Sequence, residues 1–184
     1  IIDLSNKGAT ADKLTEANIK KEGIRKGRPK GFKANAKSIL LNGKLDYRGV
    51  NGLLVGASYT HNNAVGDTSS NKIGLFEAHA RYKANNIFAS AEFGNISYSE
   101  GEVESSMGYY VDFGYNIGSF FDTEIEIYPF VRYTHYNTAS TTKTGGDADI
   151  AYKVTKIMGG FSILPIPQVV IKFDYARKLT GIDD

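Results

Sequence analysis

The chain has 184 residues, of which 23% are charged and 41% hydrophobic, and its mean hydropathy is −0.29. No apolar run approaches the roughly eighteen residues that a membrane-spanning helix needs, which excludes a bundle of such helices. The formal net charge of +2 is too balanced to indicate nucleic acid as a partner, and a sequence without cysteine has no disulfide framework, thiolate chemistry or cysteine metal site.

We predict a single domain over residues 1–184. Its N-terminal segment, residues 1–37, shows no strand pattern. Residues 11–22 favour a short helix, with Thr10 as its N-cap and Gly23 as its stop. The chain opens with IIDLSNKG, which has neither the basic start nor the apolar stretch of a signal peptide. An exported protein needs a signal peptide, so if this protein is exported, we expect either that the peptide has been removed or that the chain is an internal fragment.

A basic run follows the predicted helix, and its glycines Gly23, Gly27 and Gly31 predict a loop. Only Glu22 opposes its positive charge. The basic side chains of the run are Lys20, Lys21, Arg25, Lys26, Arg28, Lys30, Lys33 and Lys37. This run is the one strongly signed feature of the sequence.

From residue 38 to residue 178 apolar and polar residues alternate, which is the period of strands with one apolar and one polar face. The alternation predicts eight antiparallel strands in four hairpins. Their predicted bounds are residues 38–48, 53–62, 73–83, 87–98, 108–117, 125–137, 151–164 and 169–177. Each arm of the central hairpin has about ten residues, the length that a tilted strand needs to cross the hydrocarbon core of a bilayer.

Two further patterns favour a membrane barrel over a soluble antiparallel sandwich, which would also alternate. The predicted links are short after residues 48, 83, 117 and 164, and longer and polar after residues 62, 98 and 137. Outward tyrosines fall at two levels, with Tyr47, Tyr82 and Tyr115 beside the short links and Tyr59, Tyr109, Tyr133 and Tyr175 toward the long ones. Both patterns are typical of a transmembrane antiparallel up-and-down β-barrel, so we predict an all-β fold of that class.

Several segments together resemble one family. They are GIRKGRPKGFKANAKSILLNGKLDYRGVNGLLVGASY, YPFVRYTHYNT and PIPQVVIKFDYARK, and they cover most of the chain from about Gly23 onward. They resemble the C-terminal half of bacterial porins related to the phosphate-selective porins O and P, in which a glycine-punctuated basic loop precedes a strand that ends in an Asp-Tyr pair, like Asp46-Tyr47. The chain departs from that family at LTGIDD, where the resemblance implies one more strand that closes on an aromatic residue.

The resemblance implies that the chain is a fragment whose eight strands are about half of a sixteen-stranded barrel, a size that leaves an aqueous channel. It also implies a bacterial outer-membrane location, contact with outer-membrane lipid and lipopolysaccharide, and assembly as a homotrimer. The function that it implies is a porin for the passive diffusion of small hydrophilic solutes, with a lean toward anions such as phosphate.

The polar face of the predicted strands carries ten charged side chains that would face the lumen of such a barrel. They are Lys44, Asp46, Arg48, Glu77, Arg81, Glu92, Asp112, Arg132, Lys172 and Asp174. Five positive and five negative charges make no ring of one sign. We therefore expect a generally polar, water-filled lumen rather than a ladder of selective charges.

The basic run offers a candidate anion contact. If it folds into the lumen, its cations would replace part of an anion's hydration shell, and Arg25 and Arg28 could grip phosphate or carboxylate in fork geometry. The candidate anion-contacting side chains are Arg25, Lys26, Arg28, Lys30 and Lys33. The favoured alternative is a solvated outer loop that binds lipopolysaccharide or no ligand.

Metal binding and catalysis find little support in the sequence. His79 points inward beside Glu77 and Arg81, where a solvated ion pair is favoured over a metal site. Asp147 and Asp149 could hold Ca²⁺ with the help of carbonyl groups, but a plain glycine-rich loop is favoured. No spaced set of His, carboxylate and Ser is readable, so we expect no enzyme activity and no cofactor.

Two alternatives to a porin remain open. A barrel with a filled interior would act as an adhesin or a membrane anchor, and strand number separates the two, because about eight strands enclose side chains and about sixteen leave a channel. A soluble lipid- or sugar-binding sheet ranks third, and it would remain in water without detergent.

Overall fold

The computed structural model describes residues 14, 16–27, 38–66, 69–121, 123–144 and 150–181. Eight strands form one sheet in which each strand pairs, antiparallel, with the next along the chain. The strands are β1 Leu40–Tyr47, β2 Leu53–Val65, β3 Ser70–Ala84, β4 Ile87–Tyr98, β5 Val103–Tyr115, β6 Glu126–Thr142, β7 Lys153–Ile166 and β8 Val169–Thr180. The predicted all-β, antiparallel, up-and-down fold of eight strands is confirmed.

The sheet is open within the described residues. β1 and β8 each have one hydrogen-bonded neighbour and do not pair with each other. Their outer edges therefore present unpaired backbone N–H and C=O groups, which can recruit further strands.

Local sequence explains the tight turn between β3 and β4. It consists of Asn85 and Asn86, which both have positive φ, at 53° and 62°. Two such residues in succession are the requirement of a type I′ turn, whose twist matches that of the strands it joins. Asparagine is among the few non-glycine residues that adopt this conformation readily.

The predicted alternation of short and long links is wrong. β2 and β3 keep pairing as far as Val65 and Ser70, so the predicted loop over residues 61–71 shrinks to a four-residue link. Conversely, β5 and β6 are joined by the ten residues 116–125, where the pattern predicts a short link. Backbone hydrogen bonds do not depend on apolar side chains, so a strand ladder can run beyond the apolar stretch that reveals it in the sequence.

The β5–β6 link is ordered by one side chain that the alternation does not single out. Oδ1 of Asn116 accepts hydrogen bonds from the backbone N–H of Gly118 at 3.1 Å and of Ile127 at 2.9 Å. Asn116 is only 9% exposed, so these bonds satisfy an oxygen that is withdrawn from water. They fix the 3-10 helix Ile117–Phe120 against the start of β6.

The N-terminal segment contains one short helix in the described residues, α1, over Glu16–Glu22. It ends at Gly23, whose φ of +59° lies in the left-handed region that glycine favours. The predicted stop at Gly23 is therefore confirmed, while Thr10 lies outside the described residues. Residues 23–27 form a 3-10 helix where the glycines predict a loop. No helix in the described part of the chain is long and apolar enough to cross a membrane.

Tight packing is confined to the end of the sheet where α1 lies. Ile19 of α1 has no exposed surface, and the hydroxyl of Thr138 on β6 donates a hydrogen bond to the carbonyl of Lys20. The buried cluster consists of Leu14, Ile19, Ala64, Ile73, Tyr98, Val103 and Ala139. This small core fixes α1 on one face of the sheet, and the rest of the sheet lacks a packed layer in the described residues.

Candidate functional site on the charged face of the sheet

The strand register sorts the side chains onto two faces. Asp112 on β5 lies opposite Ser90 on β4 and Arg132 on β6, and residues adjacent to it in the chain point the other way. We refer to the face with Asp112 as the charged face and to the opposite face, with Val111 and Phe113, as the apolar face. The ten charges predicted to point inward all share the charged face: Lys44, Asp46, Arg48, Glu77, Arg81, Glu92, Asp112, Arg132, Lys172 and Asp174.

Four more charges lie on this face and are missing from the sequence count. They are Lys83, Glu126, Lys156 and Lys178. With them the set contains eight cations and six carboxylates, so the charged face is positive on balance rather than neutral. The alternation of the sequence contains all four, because Lys83, Lys178 and Glu126 lie an even number of residues from Arg81, Asp174 and Arg132. Lys156 is next to Ile157, which the pattern places on the apolar face.

The charged face is concave. It borders an open cavity of about 1040 Å³ that is lined by residues of the six strands from β1 to β6. The ionisable side chains of the lining are Lys44, Asp46, Arg48, Glu77, His79, Arg81, Lys83, Glu92, Tyr110, Asp112 and Arg132. Eight of the ten predicted inward charges therefore border one cavity, and the other two, Lys172 and Asp174, lie on β8 outside it.

His79 connects carboxylates from two strands. Its Nδ1 lies 2.6 Å from Oε1 of Glu77, and its Nε2 lies 3.1 Å from Oδ1 of Asp46 on β1. Asp46 also pairs with Nζ of Lys44 at 3.3 Å. His79 therefore contacts Glu77, which the sequence places beside it, and also Asp46, which the sequence does not indicate. The two carboxylates lie on opposite ring nitrogens, and no group of three or more His, Cys, Asp or Glu in the described residues is arranged to hold a metal ion.

The shortest ion pair on the face joins Asp112 to Arg132. The distances from Nε to Oδ1 and from Nη2 to Oδ2 are both 2.5 Å, which is a bidentate geometry. Ser90 donates a further hydrogen bond to Asp112 at 3.2 Å, and the Asp112 side chain is 7% exposed. The Arg132 guanidinium also lies 4.8 Å from the ring centre of Tyr110. The two charges therefore largely neutralise each other toward the cavity.

Arg81 differs from Arg132 because none of the described residues gives it a carboxylate partner within 4 Å. Its guanidinium instead lies 5.9 Å from the centre of the Phe88 ring. The adjacent Lys83 on the same face is paired with Glu126 at 3.5 Å. A guanidinium that is not neutralised can offer its planar fork to a carboxylate or phosphate group.

The described start of the basic run also lies on the charged face. Arg25 borders a cavity of about 450 Å³ between the 3-10 helix Gly23–Gly27 and the sheet, opposite Glu77 and Glu92. Lys26 belongs to the same 3-10 helix. The candidate side chains Arg28, Lys30 and Lys33 lie outside the described residues, as do Asp147 and Asp149.

The apolar face is exposed on every strand. Val111 and Phe113 are 48% and 50% exposed, whereas Asp112 between them is 5% exposed. One exposed apolar-face side chain from each strand in order is Leu45, Val55, Phe76, Phe93, Val111, Val131, Phe161 and Phe173. In a sheet that is dissolved in water the apolar face packs on a second layer, yet none of the described elements covers this face.

Comparison with known proteins gives a distant relationship. No family model matches the sequence. A protein of Aquifex aeolicus (strain VF5), described as an uncharacterized protein, is 28% identical in an alignment of 176 residues that takes in 84% of this chain. The chain spans about 40% of the length of that relative. The description of the relative names no activity, so the function has to be argued from the two faces of the sheet.

Proposed function

We propose that this chain is part of a bacterial outer-membrane porin, a β-barrel through which small hydrophilic solutes diffuse passively. The observation that carries the proposal is the arrangement of an exposed apolar face back to back with a concave charged face on the same eight strands. Strands that touch lipid on one side and water on the other need this alternation. Closed barrels are the β-structures that satisfy all their backbone groups in lipid.

Aromatic side chains on the apolar face support a membrane location. At the middle of β5 the ring of Tyr109 lies 6.0 Å from the ring of Tyr133. At the end of β5, six residues further along, Tyr115 stacks on Phe120 at 5.6 Å. Rings at both ends of an apolar stretch are typical of the two membrane interfaces. Outer-membrane lipid and lipopolysaccharide are therefore the partners proposed for this face.

The open edges of β1 and β8 favour a barrel with more strands than these eight. Each unpaired backbone group in lipid costs several kcal/mol, so both edges need partners. The Aquifex relative is long enough to supply them, because this chain spans about 40% of its length. The resemblance to the phosphate-selective porins O and P favours a barrel of about sixteen strands, which leaves an aqueous channel, and a homotrimer.

The charges favour anions as solutes. The described strands place eight cations and six carboxylates on the charged face, and none of the described residues gives Arg81 a carboxylate partner. The basic run also begins on this face. A cleft lined by an excess of one charge raises the local concentration of ions of the opposite sign.

A barrel with a filled interior, acting as an adhesin or an anchor, is the second candidate. It is favoured by α1, which packs on the charged face and buries Ile19 there. However, α1 covers only one end of that face, and no residue of 16–27 lines the cavity of about 1040 Å³. The geometry therefore supports a channel better than a filled barrel.

Single-channel recording of the full-length protein in a planar lipid bilayer tests the proposal. A porin gives stepwise increases in conductance, and the sign of its reversal potential in a KCl gradient reports whether anions are preferred. A protein that inserts and is heat-modifiable on gels, yet never conducts, would instead be the anchor. A protein that stays in water without detergent would contradict both candidates.

A further inference from the structure

A smaller cavity, of about 280 Å³, opens in the charged face beside the large one. It lies toward the end of the sheet that carries the β3–β4 and β7–β8 turns. Its floor is apolar and consists of Phe88, Tyr128, Phe130 and Leu164. Lipid contact does not account for these side chains, because they are on the face opposite to the apolar one.

The register places two of the rings in one row across the sheet. Phe88 on β4 and Phe130 on β6 both lie opposite Gly114 on β5, so the three residues form one cross-strand row. A Cβ atom placed on Gly114 would lie 3.4 Å from Cβ of Phe130 and 3.1 Å from the carbonyl oxygen of Pro129. Such a Cβ would be closer than ordinary van der Waals contact, so the glycine lets Phe88 and Phe130 line the cavity from two strands about 10 Å apart with no side chain between them.

A cation lies close to each of the two rings. Nζ of Lys172 is 4.5 Å from the ring centre of Phe130, and Cζ of Arg81 is 5.9 Å from the ring centre of Phe88. Both distances are within the range of cation–π attraction, which holds the positive charges at the border of the apolar floor.

The charge of the lining is strongly positive. The charged side chains that line this cavity are Arg81, Lys83, Arg132, Lys172 and Asp112. Asp112, the one carboxylate among them, already forms a bidentate ion pair with Arg132. The carboxylates that pair with the two lysines, Glu126 at 3.5 Å and Asp174 at 3.8 Å, do not line the cavity.

We propose that this cavity binds small aromatic monocarboxylates, of which benzoate is the simplest. The ring lies on the apolar floor beside Phe88 and Phe130, and the carboxylate pairs with the fork of Arg81. Ligand pockets begin at about 300 Å³, so a cavity of about 280 Å³ suits a single ring. Inorganic phosphate would pair with the cations but would not pack on the rings. A neutral aromatic amide would pack on the rings but would not pair with the cations.

This inference rests on the proposed function, because it names the class of solute that the channel would select. A ligand-observed NMR titration of the full-length protein, folded in detergent, measures the site without requiring conduction. Benzoate should bind saturably, and benzamide and phosphate should each bind at least about tenfold more weakly, the factor that corresponds to about 1.4 kcal/mol.

Two variants and a matched control locate the binding. Arg81→Gln and Phe130→Leu should each weaken benzoate binding by about fivefold, which corresponds to about 1 kcal/mol of lost contact. Lys156 lies on the same face and is 6.0 Å from the ring of Tyr136, but it does not line the cavity. Lys156→Gln should therefore leave the affinity for benzoate unchanged.

Conductance recorded on the same preparations separates this inference from the proposed function. Conductance steps without saturable benzoate binding would support the proposed porin function and would overturn the proposed binding site. Equal affinities for the three ligands, or equal losses in Arg81→Gln and Lys156→Gln, also overturn it. Saturable binding that Arg81→Gln weakens, in a protein that never conducts, supports the site and contradicts the channel.

Discussion

Replacing Val111 by arginine distinguishes a sheet embedded in lipid from one dissolved in water. Val111 lies on the apolar face and is 48% exposed. On β5 it lies between Tyr109 and Tyr115, about 3.3 Å along the strand from their midpoint, which places it close to the bilayer midplane of the proposed barrel. Arginine at that depth costs about 2–4 kcal/mol in a membrane barrel, whereas an exposed substitution in water usually changes stability by less than about 0.5 kcal/mol.

Urea titration of the full-length protein in lipid vesicles measures this difference as a free energy of unfolding. Ala176→Arg is the matched control, because Ala176 is an exposed residue on the charged face of β8 and should change stability by no more than about 0.5 kcal/mol. A value for Val111→Arg within that same range, or a larger loss for Ala176→Arg, would refute the assignment of the apolar face to lipid.

The 184 residues without further strands should aggregate or remain an open sheet in detergent, because both sheet edges are unpaired, and a monodisperse, heat-modifiable monomer would contradict this. Asp112→Asn should lower the free energy of unfolding by about 1–3 kcal/mol in the urea assay, since Arg132 loses its bidentate partner, and an unchanged value would show that the pair contributes nothing. Hydrogen bonds from the hydroxyl and N–H of Thr144 lower the pKa of Glu102 below its ordinary 4.5, so their stabilisation is present above that pH and is lost as the pH falls through the lowered pKa. Glu102→Gln should therefore lower the urea midpoint near neutral pH, and the difference should shrink as the pH falls below 4.5, so a difference that does not change with pH would contradict this assignment. Replacing four cations of the basic run by Gln should shift the reversal potential in a KCl gradient toward cations if the run lies inside the pore, because charges are screened over about 8–10 Å. An unchanged potential would place the run outside the pore. The four cations are Arg25, Lys26, Arg28 and Lys30.

The alternation of the sequence predicts which face a residue occupies but not which residue it meets. Successive side chains of a strand point to opposite sides, so Asp112 and Arg132 could both be assigned to the charged face from the sequence alone. The register between strands is set in three dimensions, and the contact of His79 with Asp46, 33 residues earlier, has no local signal. The bidentate geometry that neutralises Asp112 could not be predicted for the same reason.

The alternation of the sequence also does not predict where the strands end or where α1 packs. The ladder that reaches Val65 and Ser70 consists of backbone bonds between polar residues, which resemble a loop in the sequence. Asn116 orders the long β5–β6 link through two backbone contacts, one of which is eleven residues away. The thin apolar stripe of α1 includes Ile19, but it does not indicate the surface on which that side chain is buried.

The exposed apolar face also restricts when this sheet can be completed. In the unfolded chain the apolar residues are separated by polar ones, and the mean hydropathy of −0.29 is that of a water-compatible polypeptide. Strand formation places these residues on one side of the sheet, so a continuous apolar surface exists only once the strands have paired. A sheet completed in an aqueous compartment would meet other copies with that surface and with two open edges, which leads to aggregation. If the chain belongs to the proposed membrane barrel, it should therefore stay unfolded until it reaches the lipid, and its strands should pair there.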